Sequence, residues 1–532
     1  MTGTASADRA VGNPEWVLPG MPATAASVDV DRVVRDMVRR ASSPGFDAWW
    51  RRAESVGFCA HPIQLSGADL HGRHQVVWTR CNNRRAQVCP SCSDLYARDT
   101  WQLVHAGAAG GHHDVPATIV GHPQVFVTLT APGYGAVHHH TDTACRDAAR
   151  DGGHRRCPHG KPLWCSTTHR RDDPLIGQPL CIDCYDYISH VLFTWYLPEL
   201  WRRFTIALRR AARCELKTVG ADPDSVKVSF VKVVELQARA IPHIHALIRL
   251  DPVNDTTTAG DHTGYGRATS GGAEPRHNAQ SPWQSPITAP ALAALINRVA
   301  HQIAITVAAP AEIGDLDTAS GTVLVRFGTQ IDTQPLAAAA PSGNEDSDTA
   351  MASDHLTPRR VARYLAKYVT KSLQDFGIAA RRLSAESIAS LDVSEHVRSI
   401  LTTIVVLAGT QSGIGNTPAL VGIDRWLHTL GYRGHITTKS RRYSTTMSAL
   451  RSQRAQWSRQ NNTKHVVDQH AQPQISEDIG WEFDRAGHAT VGDRVLAVSA
   501  SLRRIDARLE GLAERHRQVG DKHWDPAGEC DG

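Results

Sequence analysis

No stretch of this 532-residue sequence approaches the roughly 18 apolar residues that cross a bilayer as a helix. The opening "MTGTASADRAVGNPEWVLPGMPATAASVDV" also lacks a basic start followed by an apolar core. Both absences point away from a membrane or secreted protein, and the cytosol is the expected compartment. The pattern G-x-x-x-x-G-K-[ST] occurs nowhere, so no phosphate loop for ATP is expected. There is no internal repeat. A large excess of one charge is missing too: 58 Lys and Arg face 53 Asp and Glu, for a net charge of +5. A polyanionic partner would be met by a local patch rather than by the field of the whole chain.

With 41% hydrophobic residues the chain can bury a core, and its length suggests roughly three or four domains. Residues 1–27 are rich in Ala, Gly, Pro and Thr and are expected to be unstructured, as are the insertions at 252–285 and 336–355. Residues 28–115 read as a helical region with a cysteine-bearing turn. The runs "QVFVTLTAP", "SVKVSFVKVVELQ", "IPHIHALIRLD" and "GTVLVRFGTQID" read as strands. Between them "LFTWYLPELWRRFTIALRRAARCELK" and "APALAALINRVAHQIAITVAA" read as helices. In "TPRRVARYLAKYVTKSLQDFG" Thr357 caps and Pro358 takes the first helical turn. Strands interleaved with helices predict an α+β core around an antiparallel sheet. The 466–532 tail reads as an amphipathic helix for packing or self-association.

In a reducing compartment, 11 cysteines are better metal ligands or buried residues than disulfides. "CNNRRAQVCPSC" brings Cys81, Cys89 and Cys92 close, and the C-x-x-C turn lets two thiolates meet one ion. Cys59 is the natural fourth ligand, with His61 or His74 as substitutes. A second set, Cys157, Cys165, Cys181 and Cys184, lies at 145–185, with His159 as a substitute. Two structural Zn²⁺ sites are expected, and Cys145, Cys214 and Cys530 belong to neither.

Alternation along "PHIH" sends His243 and His245 to one face of a strand. Alone, the pair needs no metal, since two histidines can simply face water from a half-buried strand. Glu235, on a preceding strand, adds a carboxylate that is equally at home in a surface salt bridge. Together the three form an open set for a divalent ion such as Mg²⁺ or Mn²⁺, with positions left for phosphate oxygens. In "RYLAKYVTKS", Tyr364 and Tyr368 are four apart, as are Lys367 and Lys371, so each pair shares a helix face. An ordinary amphipathic helix with buried tyrosines and solvated lysines has the same pattern. From Arg425 to Lys464 there is no acidic residue. Arg433, Lys439, Arg441 and Arg442 are candidates to neutralise phosphates there, with Tyr432 or Tyr443 stacking on bases.

In combination, "GFCAHP", "CNNRRAQVCPSC", "FVTLTAPGYGAVH", "CPHGKPLWC", "GQPLCIDCYDY", "VVELQARAIPHIHALIRLD", "YLAKYVTKS" and "WLHTLGYRGHITTKSRRYSTT" resemble a known family. It is that of the rolling-circle replication initiators of actinobacterial plasmids and integrative elements, within the HUH endonuclease superfamily. The resemblance implies an antiparallel-sheet HUH core over 116–375 with a zinc module inserted, followed by a basic DNA-contacting region at 376–465. It carries over His243 and His245 as the superfamily's second motif and Tyr364 and Tyr368 as nucleophiles; the residues themselves add Glu235 to the histidines as a catalytic metal ligand and the charge of Lys367 and Lys371 as assistance to the phenols. The partners would be single-stranded or origin DNA, a host DNA polymerase and, without an ATP loop in this chain, a separate host helicase. A non-cutting zinc-containing DNA-binding regulator is the competing reading. A relaxase or transposase would share the chemistry.

Overall fold

The computed structural model describes residues 29–68, 72–146, 154–170, 173–253, 283–308, 322–336, 356–369, 376, 378, 383–409, 420–465 and 479–521. Residues 1–27, nearly all of the two expected insertions, Lys371 and Cys530 lie outside these. In chain order the elements are α1 (Val30–Ala41), α2 (Phe46–Ser55), β1 (Ile63–Ala68), β2 (His74–Thr79), α3 (Pro90–Ala109), β3 (Gln124–Leu129), α4 (Tyr187–Thr218), β4 (Val226–Leu236), β5 (Pro242–Pro252), α5 (Ala289–Gln302), β6 (Ala304–Ala308), β7 (Thr322–Arg326), β8 (Ile331–Pro335), α6 (Pro358–Tyr368), α7 (Glu395–Gly409), β9 (Thr437–Lys439), α8 (Met447–His465), β10 (Glu482–Ala486) and α9 (Val491–Asp521). The mixture is α+β, as the alternation of patterns predicts. No described helix is long and apolar enough to cross a membrane.

Two compact units result: Met1–Asp94 with His470–Arg515, and Leu95–Gln469 with His516–Gly532. In the first, β1 is flanked by β2 and β10 in an antiparallel sheet. Trp49, Phe58, Trp78, Ala497 and Val498 share its core. The tail therefore does more than form a helix, because β10 completes this sheet.

The second unit is built on a five-stranded sheet of order β8-β3-β5-β4-β9, antiparallel throughout. Strand β5 is central and buried from Pro242 to Asp251. On one face Ile244, Ala246, Ile248 and Leu250 join Val125, Val127 and side chains of α4, α5 and α7 in the largest core. On the other, Leu247 packs with Phe126, Val231, Val233, Leu365 and Tyr443. Burying each Leu-sized side chain stabilises by about 2 kcal/mol, so both faces are strongly specified. His243 and His245 have the parity of Leu247 and lie on the face that carries α6.

Three expectations change in detail. The apolar run after 289 is a helix only to Gln302; "AITVA", rich in β-branched residues, forms β6, which pairs with β7. "GTVLVRFGTQID" is two strands in different sheets. The chain bends at Gly328, whose N–H donates to the Thr130 carbonyl at 2.8 Å, and an added Cβ there would press on the Ala131 carbonyl. The 376–465 stretch does not stand apart: β9 is an edge strand of the central sheet, and α7 packs in its main core.

Candidate functional site

At the open end of β3, β4 and β5 lies a cleft of about 580 Å³. Its lining includes Glu235, His243, His245, Tyr364 and Tyr368. Register explains the first three. Glu235 pairs directly with His243, and His245 pairs with Thr128 on β3, so all project from one face of neighbouring strands. Tyr364 and Tyr368 arrive from α6, which Thr357 caps by accepting from the Arg360 N–H at 3.3 Å. Val361, Leu365 and Val369 form the buried stripe of that turn. The tyrosines flank the stripe and so lean over His245 of the central strand rather than into the core.

The rings are in contact. Tyr364 and Tyr368 have centroids 4.5 Å apart, and they stand 5.2 and 5.6 Å from the His245 ring. His245 Nε2 is 2.9 Å from Glu235 Oε2, and its Nδ1 is 3.1 Å from Thr128 Oγ1. With Glu235 ionised, Nε2–H donates to it and Nδ1 accepts from the threonine hydroxyl. His243 Nδ1 is buried and has no hydrogen-bond partner among the described residues. Burial, then the charges of Arg239 and His245, lower its pKa to about 3, so the ring is neutral at physiological pH. A neutral imidazole with an unpartnered nitrogen beside a carboxylate suits a divalent cation. The Glu235, His243 and His245 donor atoms are nevertheless not gathered like those of the cysteine clusters below. Glu235 would exchange its bond to His245 for the cation.

The Tyr364 pKa lies well above the usual phenol value, first through burial, then through Tyr368 and the charges of Glu235 and Asp332. The acids of the cleft therefore oppose a phenolate, and positive charge has to offset them. Arg239 supplies some: it lines the cleft, 3.5 Å from His243 Nε2. Lys367 Nζ lies 5.9 Å from the Tyr368 ring centroid. Lys371 is outside the described residues. Asp332 and Arg239 carried no signal in the sequence as site residues. Asp332 enters because β8 pairs with β3 across more than 200 residues of chain, a contact no local pattern reveals.

Three groups of cysteine and histidine converge among the described residues, each with its ligand atoms within 4.8 Å of one another. Cys59, Cys81, Cys89 and Cys92 are the first, as the spacing predicts. Their sulfurs lie 3.6–3.7 Å apart, near the ~3.8 Å edge of a tetrahedron with Zn–S bonds of about 2.3 Å. The backbone N–H groups of Ala60 and Cys81 donate to Cys89 and Cys59 sulfurs at 3.3 Å. The second expected set is corrected. Cys157, Cys181 and Cys184 are joined by His159, while Cys165 sits elsewhere with His138, Cys145 and His169. His159 is two residues from Cys157 on the tight turn closed by the Gly160 N–H to Cys157 carbonyl bond, and so reaches the pair that Cys165 does not.

The basic stretch divides likewise. Arg433, Arg441 and Arg442 are exposed, with the Arg433 guanidinium 4.4 Å from the Trp195 ring centroid. Lys439 turns inward and donates to the carbonyls of Arg441 and Ser444 at 3.2 and 3.0 Å. Tyr443 is fully buried, its ring 5.0 Å from the Arg249 guanidinium and its hydroxyl donating to the Val104 carbonyl. Tyr432 is buried as well. Neither phenol is placed to stack on a base, contrary to the expectation from aromatic spacing.

The family model described as "Replication initiator protein, pSAM2" matches residues 45–502. A curated replication initiator protein of Streptomyces ambofaciens is 34% identical over 511 residues, covering 92% of this chain and 96% of that protein. No solved structure matches. The match takes in both described units, the cleft and all three cysteine clusters, and the chain therefore belongs to the pSAM2-type family of replication initiator proteins.

Proposed function

We propose that this chain is a rolling-circle initiator that nicks one strand of origin DNA through a 5′-phosphotyrosine and rejoins the strand at termination. The observation that supports this most is the meeting of two phenols with Glu235, His243 and His245 in one polar cleft. A phenol oxygen of Tyr364 or Tyr368 attacks phosphorus, the P–O3′ bond breaks, and its electron pair leaves on the 3′ oxygen. The phenol proton passes to solvent or a cleft base, and the 3′ oxygen takes up a proton to become a primer hydroxyl for polymerase. The second phenol permits the reverse transfer.

Glu235, His243 and His245 would hold Mg²⁺ or Mn²⁺, which supplies Lewis-acid polarisation of the phosphate and charge stabilisation on the leaving oxygen. Arg239 adds a fixed positive charge against a phosphate in the cleft, and Lys367 one near the phenols; the assistance expected from Lys371 falls outside the described residues. Thr128 holds the His245 ring in one orientation through Nδ1. We further assign structural Zn²⁺ to the Cys59 cluster and to the cluster of Cys157, His159, Cys181 and Cys184. Arg433, Arg441 and Arg442 are proposed to contact phosphates.

The test is incubation of the full chain with Mn²⁺ or Mg²⁺ and a labelled single-stranded origin oligonucleotide, followed by denaturing electrophoresis. A denaturation-resistant adduct is expected. Tyr364→Phe and Tyr368→Phe each lower it, and the double substitution removes it. A double variant that still forms the adduct overturns the assignment, and a wild-type protein that binds the oligonucleotide without any adduct favours a non-cutting regulator.

A further inference from the structure

We infer that His138, Cys145, Cys165 and His169 form a third Zn²⁺ centre, distinct from both cysteine-rich clusters. His138 Nδ1 lies 3.1 Å from His169 Nε2, Cys165 Sγ 3.4 Å from the same nitrogen, and Cys145 Sγ 3.8 Å from His138 Nδ1. Four ligands on one tetrahedral Zn²⁺, with bonds of about 2.0–2.1 Å to nitrogen and about 2.3 Å to sulfur, stand roughly 3.3–3.8 Å from each other. The observed separations fall close to that range. Cys145 and His169 are buried at 1% exposure, and no disulfide joins the two thiols. The half-buried His138 and the buried His169 face each other at hydrogen-bond distance with both sulfurs beside them. A shared cation satisfies all four groups at once.

The surroundings are those of a metal site. His169 Nδ1 is 2.7 Å from Asp173 Oδ2, which fixes the tautomer that presents Nε2 to the centre. The backbone N–H of His139 donates to Cys145 sulfur at 3.3 Å, as suits a thiolate. Two short antiparallel contacts bring the ligands together. Arg146 and Cys165 exchange backbone hydrogen bonds at 2.9 and 3.1 Å, and the Gly177 N–H donates to the His138 carbonyl at 2.8 Å. Gly177 has a positive φ and lies against the backbone of Ala238 and Arg239, where a Cβ would collide. The centre thus fastens the loop that seats the turn between β4 and β5.

Zinc bound by the purified full chain, released with an organomercurial thiol reagent in excess Mn²⁺ and counted colorimetrically, tests this. Three equivalents are expected for the wild type, two for Cys145→Ser and for His169→Ala, and three for Cys214→Ser, which alters an exposed thiol outside every cluster. Two equivalents in the wild type, unchanged by Cys145→Ser, overturn the third centre. Should the substituted chains prove insoluble, the wild-type count of three or two decides. Cys92→Ser, which is expected to cost one equivalent of its own, reports separately on the Cys59 cluster.

Discussion

A single glycine shows how local preference yields to packing. Gly107 lies in α3, where Ala is normally worth about 1 kcal/mol more than Gly. Here an added Cβ falls on the ring of the fully buried Tyr443, over which the Arg249 guanidinium lies. Overpacking a rigid site costs about 1–3 kcal/mol, so Gly107→Ala is expected to lower the thermal midpoint; a rise would show that the Tyr443 ring is free to move. Arg249 itself, 1% exposed, donates to both oxygens of Asp251 at 2.6 and 3.0 Å, to the Tyr443 carbonyl at 3.2 Å and to the Gly107 carbonyl. Burial works to raise the Asp251 pKa, yet the bond from His122 and the Arg249 charge hold it below the usual carboxylate range. Breaking a buried pair costs about 3–5 kcal/mol, whereas the Glu199 pairs with largely exposed Arg202 and Arg203 are worth less than about 1 kcal/mol. Asp251→Asn should therefore destabilise several-fold more than Glu199→Gln in urea titrations, and equal effects would refute the ranking.

At the scale of elements, the helix and strands that line the cleft were legible because their signals are local. Thr357 and Pro358 mark the start of α6, and alternation alone sets His243 and His245 on one face. What was not legible depends on partners far away in sequence. Whether "AITVA" continues a helix or turns into β6 is decided by pairing with β7. Asp332 reaches the cleft only through the β3–β8 pairing. Tyr443 looks like a stacking aromatic in a basic run until Gly107 and Arg249 provide its cavity. Cys165 illustrates the same limit, since cysteine spacing grouped it with Cys157. His169, four residues on, was the neighbouring ligand that could have separated the two clusters.

Across the whole molecule, buried histidines set the response to acid. His190 is completely buried, and burial, followed by the charge of His396, lowers its pKa to about 3. His396 is shifted down by burial as well. In the unfolded chain these rings titrate near ~6.5, so the unfolded state binds more protons below that value. Stability is therefore full above about pH 6.5 and is lost progressively as pH falls toward the folded values. Depressed carboxylates such as Asp251 extend the loss below about pH 4. Thermal midpoints measured between pH 7.5 and 4.5 should decline through this window, and the decline should be shallower in His190→Gln; a flat profile would contradict the buried neutral state.

The proposed phosphotyrosine gives the most direct test. Tyr364 and Tyr368 fall in separate tryptic peptides, residues 364–367 and 368–371, so mass spectrometry of the nuclease-trimmed adduct can tell them apart. A 5′-nucleotide mass is expected on one or both of these peptides, present only when Mn²⁺ or Mg²⁺ was supplied. A nucleotide on any other residue, or none at all on a protein that has cut its origin, overturns the two-tyrosine chemistry.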